Sequence, residues 1–124
     1  PLELVAPINM DGDRFLSNEI KQADTESAIE ITDEALSKSL SALALNVFRA
    51  LGAKDYGRID IRLDENGEPN FLEANLIPSL LDKYGNFPKA CLMHLGMQHE
   101  EIILRITDLA LNRKPQLIID RVKV

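Results

Sequence analysis

The sequence is short of several residues on which much protein chemistry depends. Among 124 residues there is one cysteine, Cys91, so no intrachain disulfide can form, and this usage reads as that of a cytoplasmic protein. Cys91 lies in the apolar context Ala90-Cys91-Leu92-Met93 and reads as a small core residue rather than a nucleophile. Only two histidines occur, His94 and His99. They are separated by Gly96 and do not share a helix face, and no third histidine stands near them, so surface or capping roles fit better than metal ligation. Positive charge is also scarce. Fourteen Lys and Arg against twenty Asp and Glu leave a net charge of −6, which argues against nucleic acid or an anionic membrane surface as a partner. No apolar run is long enough to span a bilayer, and no signal-peptide pattern is present. An initiating methionine is missing as well. The chain begins at Pro1 and is expected to start inside a longer protein or to have been cut from one.

What remains is an ordinary globular composition, 45% hydrophobic and 27% charged, enough for one domain with a modest core. Leu2 to Ile8 reads as a short strand or extended segment. Asn9 to Arg14 has a superficial likeness to a calcium loop, but its glycine comes too early and no glutamate closes it, so an EF-hand is excluded. Phe15 to Lys21 alternates as a strand does, and Gln22 to Ile31 is polar and reads as a loop. A long helix is expected from Thr32 as its cap, with Leu36, Leu40, Leu43, Val47 and Leu51 forming one apolar stripe and Gly52 stopping it. Further helices are expected over Pro88 to Leu95 and from about Gln98 to Asn112, the second with Glu100 and Glu101 in its first turn. There is no internal repeat and no low-complexity tract. The tail after Pro115 has no strong pattern.

The chain is organised around Tyr56 to Pro78, which predicts a β-hairpin. Ile59, Ile61 and Leu63 alternate with Arg58, Asp60 and Arg62, and Leu72, Ala74 and Leu76 alternate with Phe71, Glu73 and Asn75. Asn66-Gly67 between the halves is a strong turn signal. With a two-residue or four-residue loop, Ile61 faces Leu72, Ile59 faces Ala74, Asp60 faces Glu73 and Arg58 faces Asn75. A three-residue loop would set Asp60 against Leu72 and spoil the match of apolar faces, so the apolar pattern selects the first register. That register brings two carboxylates roughly 5 Å apart. A cation between them would relieve the repulsion, and the hard oxygens of Asp60, Glu73 and Asn75 suit Mg²⁺, Mn²⁺ or Ca²⁺. Arg58 beside them suits a phosphate or a developing oxyanion. The competing reading is a solvated, charged strand face.

Gly57-Arg58-Ile59-Asp60, the Asn66-Gly67 turn, Leu72-Glu73-Ala74-Asn75 and Pro78 together resemble the C-terminal core of ATP-grasp enzymes, with the D-alanine–D-alanine ligase family as the nearest match. The likeness spans roughly Phe15 to Leu111. It implies an α+β fold, an ATP-grasp C-terminal subdomain with an antiparallel sheet centred on the hairpin and packed against helices. It implies that residues 1–124 form a single subdomain, with an upstream ATP-grasp subdomain and an N-terminal domain absent. By the same resemblance Asp60, Glu73 and Asn75 are Mg²⁺ (or Mn²⁺) ligands holding ATP phosphates. Arg58 stabilises the phosphate and the tetrahedral intermediate, and Lys21, in Glu19-Ile20-Lys21, approaches the ATP phosphates.

The implied activity is an ATP-dependent carboxylate–amine ligation through an acyl phosphate. Its partners are small carboxylate and amine substrates, amino acids or short peptides, and the missing N-terminal part of the same protein. Two departures bear on substrate: Ser79 follows Pro78 where the ligases usually carry glycine, and Leu80 to Tyr84 does not match their substrate-contacting segment. No Gly-x-Gly-x-x-Gly or Gly-Lys-[Ser/Thr] loop occurs, so the fragment alone is expected to be inactive. Another ATP-grasp reaction, such as that of a carboxylase or a phosphoryl transferase, and a non-catalytic metal-binding or interaction module remain the alternatives. The oligomeric state, a homodimer included, stays open.

Overall fold

A computed structural model describes residues 1–5 and 27–113. The expected strand over Phe15 to Lys21, Lys21 itself and the tail after Pro115 lie outside the described residues.

In chain order the elements are β1 (Leu2–Val5), β2 (Ser27–Glu30), α1 (Glu34–Ala50), β3 (Arg58–Leu63), β4 (Pro69–Asn75), α2 (Asn86–Leu95) and α3 (His99–Asn112). The fold is α+β. The expected sheet is, among the described residues, two separate antiparallel ribbons, β1 with β2 and β3 with β4. The segment read as a loop from Gln22 to Ile31 contains β2, which pairs Glu30 with Leu2 and Ser27 with Val5. Its four residues are too few and too polar for alternation to stand out, and its strand character comes from pairing with β1.

Helix α1 forms where its apolar stripe predicts, but its cap is Asp33 rather than Thr32. The Asp33 carboxylate accepts the N–H groups of Ala35 at 2.9 Å and Leu36 at 3.0 Å, satisfying donors that a helix start leaves without partners. At the other end Gly52, at φ 64°, donates to the Arg49 carbonyl, and Ala53 donates to that of Phe48. This paired closure needs a left-handed residue, which glycine supplies without strain. Leu40 is buried. Leu51, expected on the same stripe, is exposed because it sits at the C-cap, where the helix is already ending. The helix packs on both strands of the β3–β4 hairpin.

Helix α2 starts two residues before the expected Pro88, which lies buried in its first turn. Gly96, at φ 65°, ends it. Helix α3 follows with a reciprocal cap: Gln98 and Glu101 each accept the other's backbone N–H. Ile102, in its first turn, is 3% exposed. Leu40 and Ile102 are the only buried members of the apolar core among the described residues.

The hairpin corrects the expected register. Arg58–Asn75, Ile59–Ala74 and Asp60–Glu73 pair as predicted, but Ile61 then faces Phe71, Arg62 faces Asn70 and Leu63 faces Pro69. Leu72 is the extra residue of a β-bulge beside the Asp60–Glu73 pair, and it is 59% exposed rather than core-facing. The turn is the three-residue one, Glu65-Asn66-Gly67. The Asp64 N–H donates to the Glu68 carbonyl at 2.9 Å, Gly67 donates to the Asp64 carbonyl at 3.0 Å, and Gly67 takes φ 80°. The Asp64 carboxylate accepts the N–H groups of Asn66 and Glu68, each at 2.9 Å, which favours this loop over a two-residue turn. The bulge absorbs the one-residue shift before it reaches Asp60.

Candidate metal and phosphate site

The site residues come from the two strands of one hairpin. Arg58 and Asp60 are two apart on β3, so their side chains share a face. The Arg58 guanidinium grips Asp60 with two bonds, Nε to Oδ1 at 2.7 Å and Nη2 to Oδ2 at 3.0 Å. The same Nη2 lies 3.6 Å from Oε1 of Glu73, the residue that faces Asp60 across the ribbon. A planar guanidinium with several N–H donors matches a carboxylate in this two-bond fashion, and here it reaches a second carboxylate as well. The repulsion between Asp60 and Glu73 is thus offset by Arg58. Asn75, opposite Arg58, accepts the Ile77 N–H on its Oδ1 at 3.0 Å, which fixes its amide at the end of β4. The structure therefore brings Arg58, Asp60, Glu73 and Asn75 together.

The donors are open to solution: Asp60 is 31% exposed and Glu73 64%. Among the described residues, no group of three or more His, Cys, Asp or Glu could hold a metal ion. The candidate donor set is instead two carboxylates and one amide carbonyl, whose oxygen keeps a second lone pair beyond the Ile77 bond. Such a set fits Mg²⁺, which is typically bound by one or two carboxylates and completed by water and substrate phosphate oxygens. It does not fit a zinc-type cage of nitrogen and sulfur ligands.

The segment after the hairpin is held tightly. Pro78 is buried, His99 Nε2 bonds the Leu80 carbonyl at 2.7 Å, and a Cβ on Gly85 would collide with the Ser79 carbonyl oxygen. His94 contacts the Pro1 carbonyl at 2.8 Å and lies 3.6 Å from Glu30. Both histidines are therefore engaged with backbone carbonyl oxygens. Burial raises the Cys91 thiol above its usual range, consistent with a packed residue and not a nucleophile. The sequence reading missed the bulge at Leu72. The only available signal was the capacity of Asp64 to hold a three-residue loop.

Residues 6–108 match the family model described as D-ala D-ala ligase C-terminus. The D-alanine–D-alanine ligase of Nitrosococcus oceani is 38% identical over 81 residues, covering 65% of this chain and 25% of that protein. Those of Dechloromonas aromatica and Burkholderia thailandensis are 35% and 31% identical, over 64% of this chain and 26% and 25% of theirs. The chain spans about a quarter of the length of these curated relatives. No solved structure matches. With the family model covering most of its length, the chain belongs to the D-ala D-ala ligase C-terminus family.

Proposed function

We propose that this chain is the C-terminal lobe of an ATP- and Mg²⁺-dependent carboxylate–amine ligase of ATP-grasp type, acting on D-alanine or a related small amino acid in the cytoplasm. The observation that carries the reading is the Asp60–Glu73 pair, spanned by Arg58, in a chain of this family. Asp60, Glu73 and Asn75 are the residues that would hold Mg²⁺, and Lys21 is assigned to the ATP phosphates. The metal, when bound, neutralises phosphate charge and polarises the transferred group. Arg58 supplies a fixed positive charge for the phosphate and for the oxyanion of the tetrahedral intermediate.

In the reaction a substrate carboxylate attacks the γ-phosphorus of ATP and releases ADP. The resulting acyl phosphate is attacked by the amine of the second substrate. Inorganic phosphate leaves, a proton is lost from nitrogen and an amide remains. No protein nucleophile is needed. Ser79 and the segment after it bear on which amine or carboxylate is accepted. The upstream subdomains that complete the ATP site belong to the rest of the same polypeptide.

The test is an ADP-release screen of the full-length protein against D-alanine, other amino acids and dipeptides. Asp60→Asn and Glu73→Gln should each lower turnover by about a hundredfold or more while leaving the melting temperature nearly unchanged. Wild-type turnover in either variant refutes the metal assignment.

A further inference from the structure

Asp55 has φ 66°, a left-handed conformation that few residues other than glycine adopt readily. The Tyr56 N–H donates to the Lys54 carbonyl at 2.8 Å, so Asp55 is the centre of a three-residue γ-turn with positive φ, a rare and strained form. Its side chain has a partner: the Asp55 carboxylate accepts a bond from Nη2 of Arg113, at the C-cap of α3 and 58 positions away. Asp55 is 21% exposed and Arg113 39%, so the pair is partly shielded from water. The two following residues are fixed as well. The Tyr56 ring lies 5.5 Å from that of Phe87 on α2, tilted by 60°. A Cβ on Gly57 would stand 2.8 Å from the Phe48 ring on α1. Three consecutive residues are thus tied to three different helices, and the next residue is Arg58.

We propose that the Arg113–Asp55 pair is a latch that holds the strained turn and thereby sets where β3 begins, which makes Arg113 a positioning residue for Arg58 and Asp60. This proposal rests on the ligase reading for its link to chemistry. Without the latch the turn relaxes out of the left-handed region and the start of β3 shifts. A displacement of about 1 Å is enough to impair a site that works by positioning.

The test uses the full-length protein with Arg113→Ala, Asp55→Gly and the double variant. It reads the Mg²⁺ concentration for half-maximal ADP release and the amide hydrogen exchange of β3. Arg113→Ala should raise the half-saturating Mg²⁺ about fivefold and speed exchange at β3 by a similar factor, the scale of one partly exposed ion pair. Asp55→Gly, which adopts the turn without strain, should stay within about twofold of wild type, and adding Arg113→Ala to it should change nothing further. An equal effect of Arg113→Ala in both backgrounds, or none on β3 exchange in either, overturns the latch. Should Arg113→Ala alone fail to fold, the double variant decides: folding with wild-type exchange supports the latch, and failure to fold overturns it. If exchange responds as expected while no substrate elicits ADP release, the latch holds and the ligase reading falls.

Discussion

Single side chains at the hairpin carry opposite duties. Arg58 spans Asp60 and Glu73, so any divalent ion taken up by those carboxylates competes with the guanidinium for Asp60. Asp64, at the other end of the same ribbon, has no such task and spends its charge on the turn. The N–H of Glu68, then that of Asn66, hold its carboxyl below the usual range against a smaller opposing effect of desolvation, with Asn70 contributing least. A depressed folded pKa means that its contribution to stability is fully present above the unfolded value and disappears as pH falls through the folded one. The stability difference between wild type and Asp64→Ala should therefore be constant above about pH 5 and shrink below about pH 4. Urea denaturation across that range measures it, and a difference that does not change with pH removes Asp64 from the account of the turn.

Among the elements, α1 and the hairpin set the geometry, and they respond differently to mutation. Leu40→Ala removes one of the few buried apolar side chains and should cost about 2–4 kcal/mol. Leu72→Ser alters an exposed bulge residue and should cost less than about 0.5 kcal/mol. Denaturant titration of both variants separates this arrangement from the regular register, in which Leu72 faces Ile61 and its loss is comparably severe. The hairpin, α1, α2 and α3 were all legible, because period-two and helical spacing are strong signals when carried by residues such as Ile59, Ile61, Leu36 and Leu40. The opposition of Asp60 and Glu73 was legible for the same reason. Thr32 and Asp33 are adjacent residues able to cap, and only backbone geometry chooses between them. The bulge was hidden because Asn66-Gly67 serves two-residue and three-residue loops alike, and the choice depends on bonds to the Asp64 side chain.

At the scale of the whole molecule, exposed apolar side chains among the described residues are the leading feature. Ile77 is 81% exposed, Leu81 67%, Tyr84 65%, Leu95 68% and Leu104 69%. Large exposed apolar surface of this kind marks a face that meets another surface. On the lobe reading proposed above, these apolar faces meet the rest of a larger enzyme. Residues 1–124 alone should therefore bind a hydrophobic dye strongly and release no ADP. The full-length protein should bind the dye weakly per molecule. A sharp melt, weak dye binding and turnover by the isolated chain would contradict the lobe reading.

The bulge at Leu72 gives this ribbon slack in length. If Leu72 were deleted, Phe71 would be followed directly by Glu73, and the pairing of Ile61 with Phe71 and of Asp60 with Glu73 would continue unbroken. One residue can thus be lost between the turn and the carboxylates without changing which residues face each other across the strands. The bulge therefore uncouples the length of the outer half of the ribbon from the alignment of the pair at its base.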